Sequence, residues 1–158
     1  MTDLVILGGG PAGVSAAVYA ARKQIHSVLV TDTFGGQSIV SEDIQNWIGT
    51  PHISGAQLAK DLEAHARAYA GDILEIRDNT RVIDIKKNGN TFVVHVENRK
   101  KEITLIETKT VLVTTGSIRR KLEAKGSDIF EHKGLTYCAS CDGPFFTGQD
   151  VVVVGGGN

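Results

Sequence analysis

A short apolar strand that runs directly into a glycine-rich turn constrains the fold of this 158-residue chain most strongly. Leu4-Val5-Ile6-Leu7 is apolar throughout, which is typical of a strand buried on both faces of a parallel sheet. Gly8, Gly10 and Gly13 follow in Gly-x-Gly-x-x-Gly spacing. These glycines allow a tight bend, close approach of a pyrophosphate, and helix packing on the sheet. The pattern predicts a nucleotide-binding turn, with a plain glycine-rich turn as the alternative.

A helix and a second strand complete the predicted unit. Small apolar residues recur at helical spacing after the turn, at Val14, Ala17, Val18 and Ala21. Pro11 suits a first helical turn, where Ala12 also lies, and the free N–H groups there favour a phosphate. Ser27–Thr31 then has the composition of a strand. The sequence therefore predicts a β-α-β unit, which is right-handed in nearly all proteins.

Asp32 lies where such units bind a ribose. It follows the third glycine by about 20 residues, the position of an acid that binds ribose hydroxyls. Because Thr31 occupies the predicted strand end, a solvated aspartate at the start of a loop is the alternative. The sequence leaves both interpretations open.

The middle of the chain alternates between irregular and periodic segments. Residues 32–53 show no sustained period and are predicted to form a long irregular connection. A helix is expected over 54–70, with Ser54 as its cap. Four β-rich segments are expected to form an antiparallel meander with a turn at Asn88-Gly89-Asn90, over 73–76, 81–87, 91–97 and 102–108. A separate apolar strand is expected over 110–113.

The opening pattern returns at the end of the sequence. Val151–Val154 is an apolar run followed by Gly155, Gly156 and Gly157. A second dinucleotide-binding unit is expected to begin here, with Gly155 and Gly157 beside its cofactor. Because a covering helix must follow such a strand, we expect this chain to be the N-terminal part of a longer protein.

Cys138 and Cys141, the two cysteines, are separated by two residues. This spacing lets both sulfurs meet across one turn, where a thiolate can attack a disulfide. A structural zinc ion requires four ligands, and the sequence has no second cysteine pair and no paired histidines. Redox use is favoured and no metal is predicted; a zinc site completed by a further segment, or inert cysteines, are the alternatives.

Composition and charge exclude several classes of protein. The formal net charge is −1, so no bulk electrostatic field attracts nucleic acid or an anionic membrane. No apolar run approaches the ~18 residues of a membrane span, and the N-terminus lacks the features of a signal peptide. With only two cysteines, a disulfide framework is not expected. We therefore expect a cytoplasmic protein without nucleic-acid or membrane partners.

Six motifs occur in a specific order, namely Gly8–Gly13, Phe34–Gln37, Asn46-Trp47, Thr114–Gly116, Cys138–Gly143 and Gly155–Asn158. In this order they resemble bacterial low-molecular-weight thioredoxin reductases. They also resemble the reductase core of the alkyl hydroperoxide reductase flavoprotein subunit. The resemblance implies an α/β fold, with a Rossmann-like FAD-binding domain and antiparallel meander over 1–116. Residues 117–158 would then hold a linker, the cysteine pair and the start of a second Rossmann-like, NAD(P)H-binding domain.

The resemblance also implies roles for individual residues. FAD would contact Gly8, Gly10, Pro11, Ala12, Gly13, Asp32, Gly35, Gly36, Gln37, Asn46, the backbone of Ile83, Thr115 and Gly116. Cys141 would take electrons from the flavin, and Cys138 would attack the substrate disulfide. Asp142 would donate and accept protons, with an ordinary helix-capping aspartate as the alternative.

The activity implied is that of a thioredoxin-disulfide reductase. Electrons would pass from NADPH or NADH through FAD and the cysteine pair to thioredoxin or a similar small disulfide protein. A homodimer is also implied. The alternatives are a flavoprotein that reduces a peroxiredoxin, or, if the chain ends at Asn158, a non-catalytic FAD-binding module. The 158-residue chain is expected to be inactive by itself, whether it is such a module or the N-terminal part of a longer reductase.

Overall fold

The computed structural model describes residues 1–117, 120–131 and 133–155, with the backbone alone at residues 140 and 141. The predicted site residue Gly157 therefore lies outside the described residues. The chain divides into two compact units, Met1–Ser117 and Ile118–Asn158. In the part of the chain that the structure describes, every helix is too short or too polar to span a bilayer.

The first unit is built on one six-stranded sheet with the strand order β3-β2-β1-β6-β5-β4. Its strands are β1 (Thr2–Gly9), β2 (Ser27–Phe34), β3 (Leu74–Arg77), β4 (Thr80–Asn88), β5 (Thr91–Asn98) and β6 (Ile103–Val113). β1 pairs in parallel with β2 and β6, and β2 pairs in parallel with β3. β4, β5 and β6 pair antiparallel to one another. The α/β, Rossmann-like fold expected from the sequence is confirmed.

The central strand β1 is buried on both faces. Ile6 packs with α1 (Pro11–Arg22) and α2 (Gly55–Arg67) in a core that contains Val14, Ala17, Val18, Ala21, Leu29, Phe34, Leu58, Leu62, Ala66 and Leu74. Val5 and Leu7 point to the other face and pack with Val28, Val30, Val94, Val96 and Ile106. The antiparallel meander thus covers the second face of the parallel strands. This arrangement explains why every residue of Leu4–Leu7 is apolar.

Two predictions about the strands of the first unit are wrong. The segment 73–76, expected in the antiparallel meander, corresponds to β3, which pairs in parallel with β2 at the opposite end of the sheet from β4. The segments 102–108 and 110–113 form the single strand β6. Thr108 belongs to both pairings, since it lies opposite Phe92 of β5 and opposite Thr2 of β1. Its side chain is fully buried, and its hydroxyl donates to the carbonyl oxygen of Thr110 at 2.9 Å. The strand can therefore pass from the meander to the parallel sheet without an intervening turn.

The second unit contains short helices in its described part. These are α3 (Ser127–Phe130), α4 (Ala139–Asp142) and a 3-10 helix over Gly143–Phe146. Lys121 Nζ lies 2.6 Å from Glu131 Oε2, and this pairing raises the pKa of Lys121. The expected strand over Val151–Val154 is not formed, because no strand of the described second unit supplies its ladder hydrogen bonds.

Candidate dinucleotide and disulfide sites

The turn after β1 is built around glycines that leave no room for a side chain. Gly8 has φ +115°, and a Cβ there would lie 2.5 Å from the Thr114 carbonyl oxygen. A Cβ at Gly13 would lie only 1.7 Å from the carbonyl oxygen of Gly8. Helix α1 therefore packs directly against the bend. These two glycines serve the packing of the turn, as the spacing predicts.

Gly10 differs from Gly8 and Gly13 because a side chain at this position would have free space. The nearest atom to a Cβ at this position would be Gly36 Cα, at 3.9 Å. Gly10 is the N-cap of α1 and has no side-chain cap bond, and Pro11 and Ala12 form the first helical positions. The first N–H groups of a helix have no partner within the helix and favour an anion. The open space and the helix start together fit a diphosphate.

A second glycine turn lies beside the first. The backbone N–H of Gly35 donates to the Gly9 carbonyl oxygen at 2.9 Å. A Cβ at Gly36 would lie 3.4 Å from Gly10 Cα. A 3-10 helix over Gly36–Val40 begins here and leaves Gln37 exposed. The structure therefore brings together two glycine turns that are far apart in the sequence.

Thr114 closes this region on the third side, although the sequence did not single it out as a site residue. Its hydroxyl donates to the Leu7 carbonyl oxygen at 2.8 Å, and its backbone N–H donates to the same oxygen at 2.9 Å. These bonds tie the ends of β6 and β1 together. Thr115 and Gly116, the predicted site residues, follow immediately, and Gly116 has φ +66°. A polar residue directly after an apolar strand is the signal for Thr114.

Asp32 lies within β2, which extends to Phe34, so the expected loop start at this residue is wrong. Parallel pairing with β1 continues to Gly9 and Phe34, and this extra pairing accounts for the longer strand. The Asp32 carboxylate is exposed, and its Oδ1 lies 3.8 Å from Arg99 Nε. Arg99 follows β5 along the chain, so sequence spacing gives no indication of this contact. The exposed carboxylate is accessible to a ribose.

Asn46 lies in a small hairpin between the two helices of the first unit. Ile44 pairs with Ile53 at its base. Asp43 accepts a hydrogen bond from the Gln45 amide at 2.8 Å and lies 3.0 Å from His52 Nδ1. The Gln45 amide and the His52 ring lower the pKa of the Asp43 carboxyl. The segment predicted to be irregular therefore has local order that holds Asn46 at the surface.

Ile83 lies in a β-bulge. Val82 pairs with Val96 and Asp84 pairs with His95, so Ile83 is the extra residue of β4. The extra residue of a bulge is left unpaired in the ladder. Its backbone N–H and C=O groups are therefore suited to bind a ligand, as the resemblance implies. Among the described residues, no hydrogen bond joins Ile83 to either glycine turn.

Residues 136–142, here called the cysteine segment, form the candidate redox site of the second unit. Cys138 is disulfide-bonded, and the backbone of Cys141 lies in α4. Asp142 is half-buried, and its N–H donates to the Cys138 carbonyl oxygen at 2.9 Å. Its carboxylate accepts a hydrogen bond from the hydroxyl of Thr136, a residue that the sequence did not single out. Asp142 is therefore held against the residues that precede the helix.

The chain is similar to known proteins over nearly its whole length. The model of the family described as pyridine nucleotide-disulphide oxidoreductase matches residues 2–158. An NADH dehydrogenase of Bacillus subtilis (strain 168) is 38% identical over 156 residues, which are 99% of this chain and 29% of that protein. The F subunit of alkyl hydroperoxide reductase in Escherichia coli (strain K12) is 36% identical, with the same coverage. The chain thus spans less than a third of these relatives.

A solved structure of thioredoxin reductase from Streptococcus pyogenes MGAS5005 is similar as well. Its TM-score is 0.76 and its sequence identity is 35%. The match covers 92% of this chain and 45% of that one.

Proposed function

The chain belongs to the pyridine nucleotide-disulphide oxidoreductase family. We propose that it functions as part of a thioredoxin-disulfide reductase. The cofactors that this membership implies are FAD and NAD(P)H. Electrons pass from NAD(P)H through FAD and the cysteine pair to a small protein disulfide. The observation that supports this most directly is the pair of adjacent glycine turns at the start of α1, in a chain that also carries a disulfide-bonded Cys138.

The free space beside Gly10 supports the proposal that FAD binds to the first unit. A Cβ there would project into space, while Gly8 and Gly13 admit none. The diphosphate binds at Gly10 and the start of α1, and Asp32 binds the adenosine ribose. Gly35, Gly36, Gln37, Asn46, Ile83, Thr115 and Gly116 are the further contacts in this proposal. By the same reasoning, Gly155 and Gly157 belong to the nicotinamide nucleotide.

The cysteine pair carries the disulfide exchange. When bound and reduced by NAD(P)H, the flavin would supply the two electrons that break the sulfur–sulfur bond between Cys138 and Cys141. The Cys138 thiolate attacks the partner's disulfide, a mixed disulfide forms, and one partner sulfur leaves as a thiolate that takes a proton. The Cys141 thiolate then attacks the Cys138 sulfur, which restores the original bond and releases the second partner sulfur. Asp142, as the carboxylic acid, supplies a proton to a departing sulfur.

A peroxiredoxin-reducing flavoprotein is a second candidate function, since the alkyl hydroperoxide reductase relative is 36% identical over 99% of this chain. The chemistry of the cysteine pair is the same in both candidates. They differ only in the protein whose disulfide is reduced.

The test measures NADPH and NADH oxidation by the purified full-length protein with oxidised thioredoxin, and separately with an oxidised peroxiredoxin. Faster turnover of thioredoxin supports the first candidate, and faster turnover of the peroxiredoxin supports the second. The variants Cys138→Ser and Cys141→Ser should each abolish turnover and keep FAD bound. Retained turnover in either variant contradicts the mechanism, and absence of FAD from the wild type contradicts the assignment of the first unit.

A further inference from the structure

Thr136 connects the two ends of the cysteine segment through its hydroxyl group. The Thr136 Oγ1 accepts a hydrogen bond from the backbone N–H of Cys138 at 3.3 Å. The same hydroxyl donates its proton to Asp142 Oδ2. The N–H of Asp142 donates to the Cys138 carbonyl oxygen at 2.9 Å. Cys138, Thr136 and Asp142 are therefore joined in a closed set of hydrogen bonds.

The direction of these bonds fixes the role of each oxygen of Asp142. A threonine hydroxyl has one proton to donate and can also accept. Because Thr136 accepts from Cys138, its proton is directed at Asp142 Oδ2. Oδ2 is then the accepting oxygen both in the carboxylate and in the carboxylic acid. The exchangeable proton of the acid form is consequently carried by Oδ1.

We propose that Thr136 is a positioning residue that orients Asp142 for proton transfer during disulfide exchange. The inference rests on the proposed function, in which Asp142 is the proton donor. An acid must lie within hydrogen-bond reach of the atom that it protonates, and a side chain free to rotate spends less time there. Thr136 acts through Asp142 and is not itself a proton donor to sulfur.

The proton transfer balances without a further reactant. As a partner sulfur departs with the electron pair of the broken sulfur–sulfur bond, the O–H bond at Asp142 Oδ1 breaks and an S–H bond forms. The negative charge passes to the carboxylate, which the Thr136 hydroxyl stabilises. A solvent proton then restores the acid, in agreement with the one proton that the overall reaction consumes with each NAD(P)H.

The matched variants are Thr136→Val, which keeps the shape and removes the hydroxyl, and Thr136→Ser, which keeps the hydroxyl. Thr147→Val is the control, since the Thr147 hydroxyl donates to the Pro144 carbonyl oxygen at 2.8 Å within the same unit. In the full-length protein, assayed with whichever of oxidised thioredoxin and oxidised peroxiredoxin is turned over faster, Thr136→Val should lower kcat about tenfold and leave KM and FAD content unchanged. Thr136→Ser should restore kcat to within about twofold of the wild type.

A double-mutant cycle with Asp142→Asn separates positioning from general damage to the segment. If Thr136 acts only through Asp142, the double variant is no slower than Asp142→Asn alone. A residue that merely stabilised the fold would instead add its own full loss to that of Asp142→Asn. The solvent isotope effect on kcat should also rise in Thr136→Val, since the proton transfer becomes slower.

The results also distinguish this inference from the proposed function. Full activity of Asp142→Asn, or no disulfide reduction by the wild type, contradicts the proposed function itself. If Asp142→Asn is slow, the inference about Thr136 is overturned by a normal kcat in Thr136→Val, by a Thr136→Ser variant as slow as Thr136→Val, or by fully additive losses in the cycle.

Discussion

The glycine turns after Leu4–Leu7 and after Val151–Val154 share a sequence pattern but differ in their surroundings. Before the first turn, Val5 and Leu7 are at most 2% exposed, whereas Val152 and Val153 before the second are 90% and 81% exposed. The backbone bend is nevertheless similar, since φ is +115° at Gly8 and +103° at Gly155. Among the described residues, only the first turn has other chain segments packed against it.

This difference separates two roles of the glycine pattern. The bend is a local property, because a positive φ is available to glycine with little steric cost. The close packing depends on residues brought in by the fold, such as Thr114 against Gly8. At Gly155 no atom lies within 4 Å of a Cβ among the described residues. A substitution should therefore have much larger effects in the first turn.

Gly13→Ala should cause the largest loss of stability. The added methyl would lie 1.7 Å from the Gly8 carbonyl oxygen, so α1 must move away from the turn. We expect the free energy of unfolding to fall by about 3 kcal/mol or more. Urea unfolding followed by the fluorescence of Trp47 measures this loss, since Trp47 is the single tryptophan of the sequence and lies in the first unit.

Gly10→Ala is the matched control within the same turn. Its methyl would lie 3.9 Å from Gly36 Cα, which is ordinary contact, so the urea midpoint should change little. The same methyl would occupy the space proposed for the diphosphate, and FAD affinity should fall by about tenfold. Equal urea midpoints for the Gly10 and Gly13 variants would contradict the packing that separates these two glycines.

The pair Gly8→Ala and Gly155→Ala tests the comparison of the two turns directly. Both variants place alanine at a positive φ, which costs about 1–2 kcal/mol. Gly8→Ala adds a clash with the Thr114 carbonyl oxygen at 2.5 Å, so its total loss should exceed about 2 kcal/mol. Gly155→Ala has no such clash, so its total loss should stay at the cost of the positive φ. Urea unfolding followed by circular dichroism, which reports on both units, measures the two losses. Similar losses in both would show that the bend, and not the packing, dominates.

The sequence predicted the local features of the first turn better than it predicted the contacts that this turn makes with distant parts of the chain. The strand over Leu4–Leu7, the tight bend at Gly8 and the helix after it were predicted from the local residue pattern, and the structure has all three. The Ser54 cap is confirmed as well, since its hydroxyl accepts from the Gln57 N–H at 3.1 Å. These features depend on residues close together in the chain.

Features that depend on distant residues were missed. The continuous β6 arises because Thr108 pairs with two different strands, and no local pattern indicates this. The contact of Arg99 with Asp32 likewise requires the meander to fold over the parallel strands. The prediction of a strand over 151–154 was wrong because an apolar run forms a strand only where neighbouring strands supply ladder hydrogen bonds.

Thr114→Val should have a moderate effect on the first turn. The variant keeps the side-chain shape but removes the hydroxyl that donates to the Leu7 carbonyl oxygen at 2.8 Å. We expect a loss of about 1 kcal/mol in the free energy of unfolding, since the backbone bond to the same oxygen remains. Thr91→Val, which removes a hydroxyl bond to Asn88 in an exposed hairpin turn, is the control. An equal or greater loss in the control would remove any special role for Thr114.

The smallest effect is expected from acid, through an ion pair that holds α2 near the end of β3 in the first unit. Arg67 Nη2 lies 2.5 Å from Asp78 Oδ2, and this hydrogen bond lowers the pKa of Asp78. A lowered folded-state pKa stabilises the protein above the unfolded pKa of about 3.9, and that stabilisation is lost as the pH falls through the folded value. Because both side chains are partly exposed, the contribution should be about 0.2–1 kcal/mol.

Asp78→Asn should therefore lower the urea midpoint at pH 7, and the difference from the wild type should disappear as the pH falls below about 4. Asp61→Asn is the control, because the Asp61 carboxylate accepts from the neutral amide of Gln57 rather than from a cation. Its midpoint at pH 7 should stay closer to that of the wild type. A difference for Asp78→Asn that persists unchanged at low pH would mean that the ion pair with Arg67 contributes nothing, since a loss of packing alone does not depend on the protonation of Asp78.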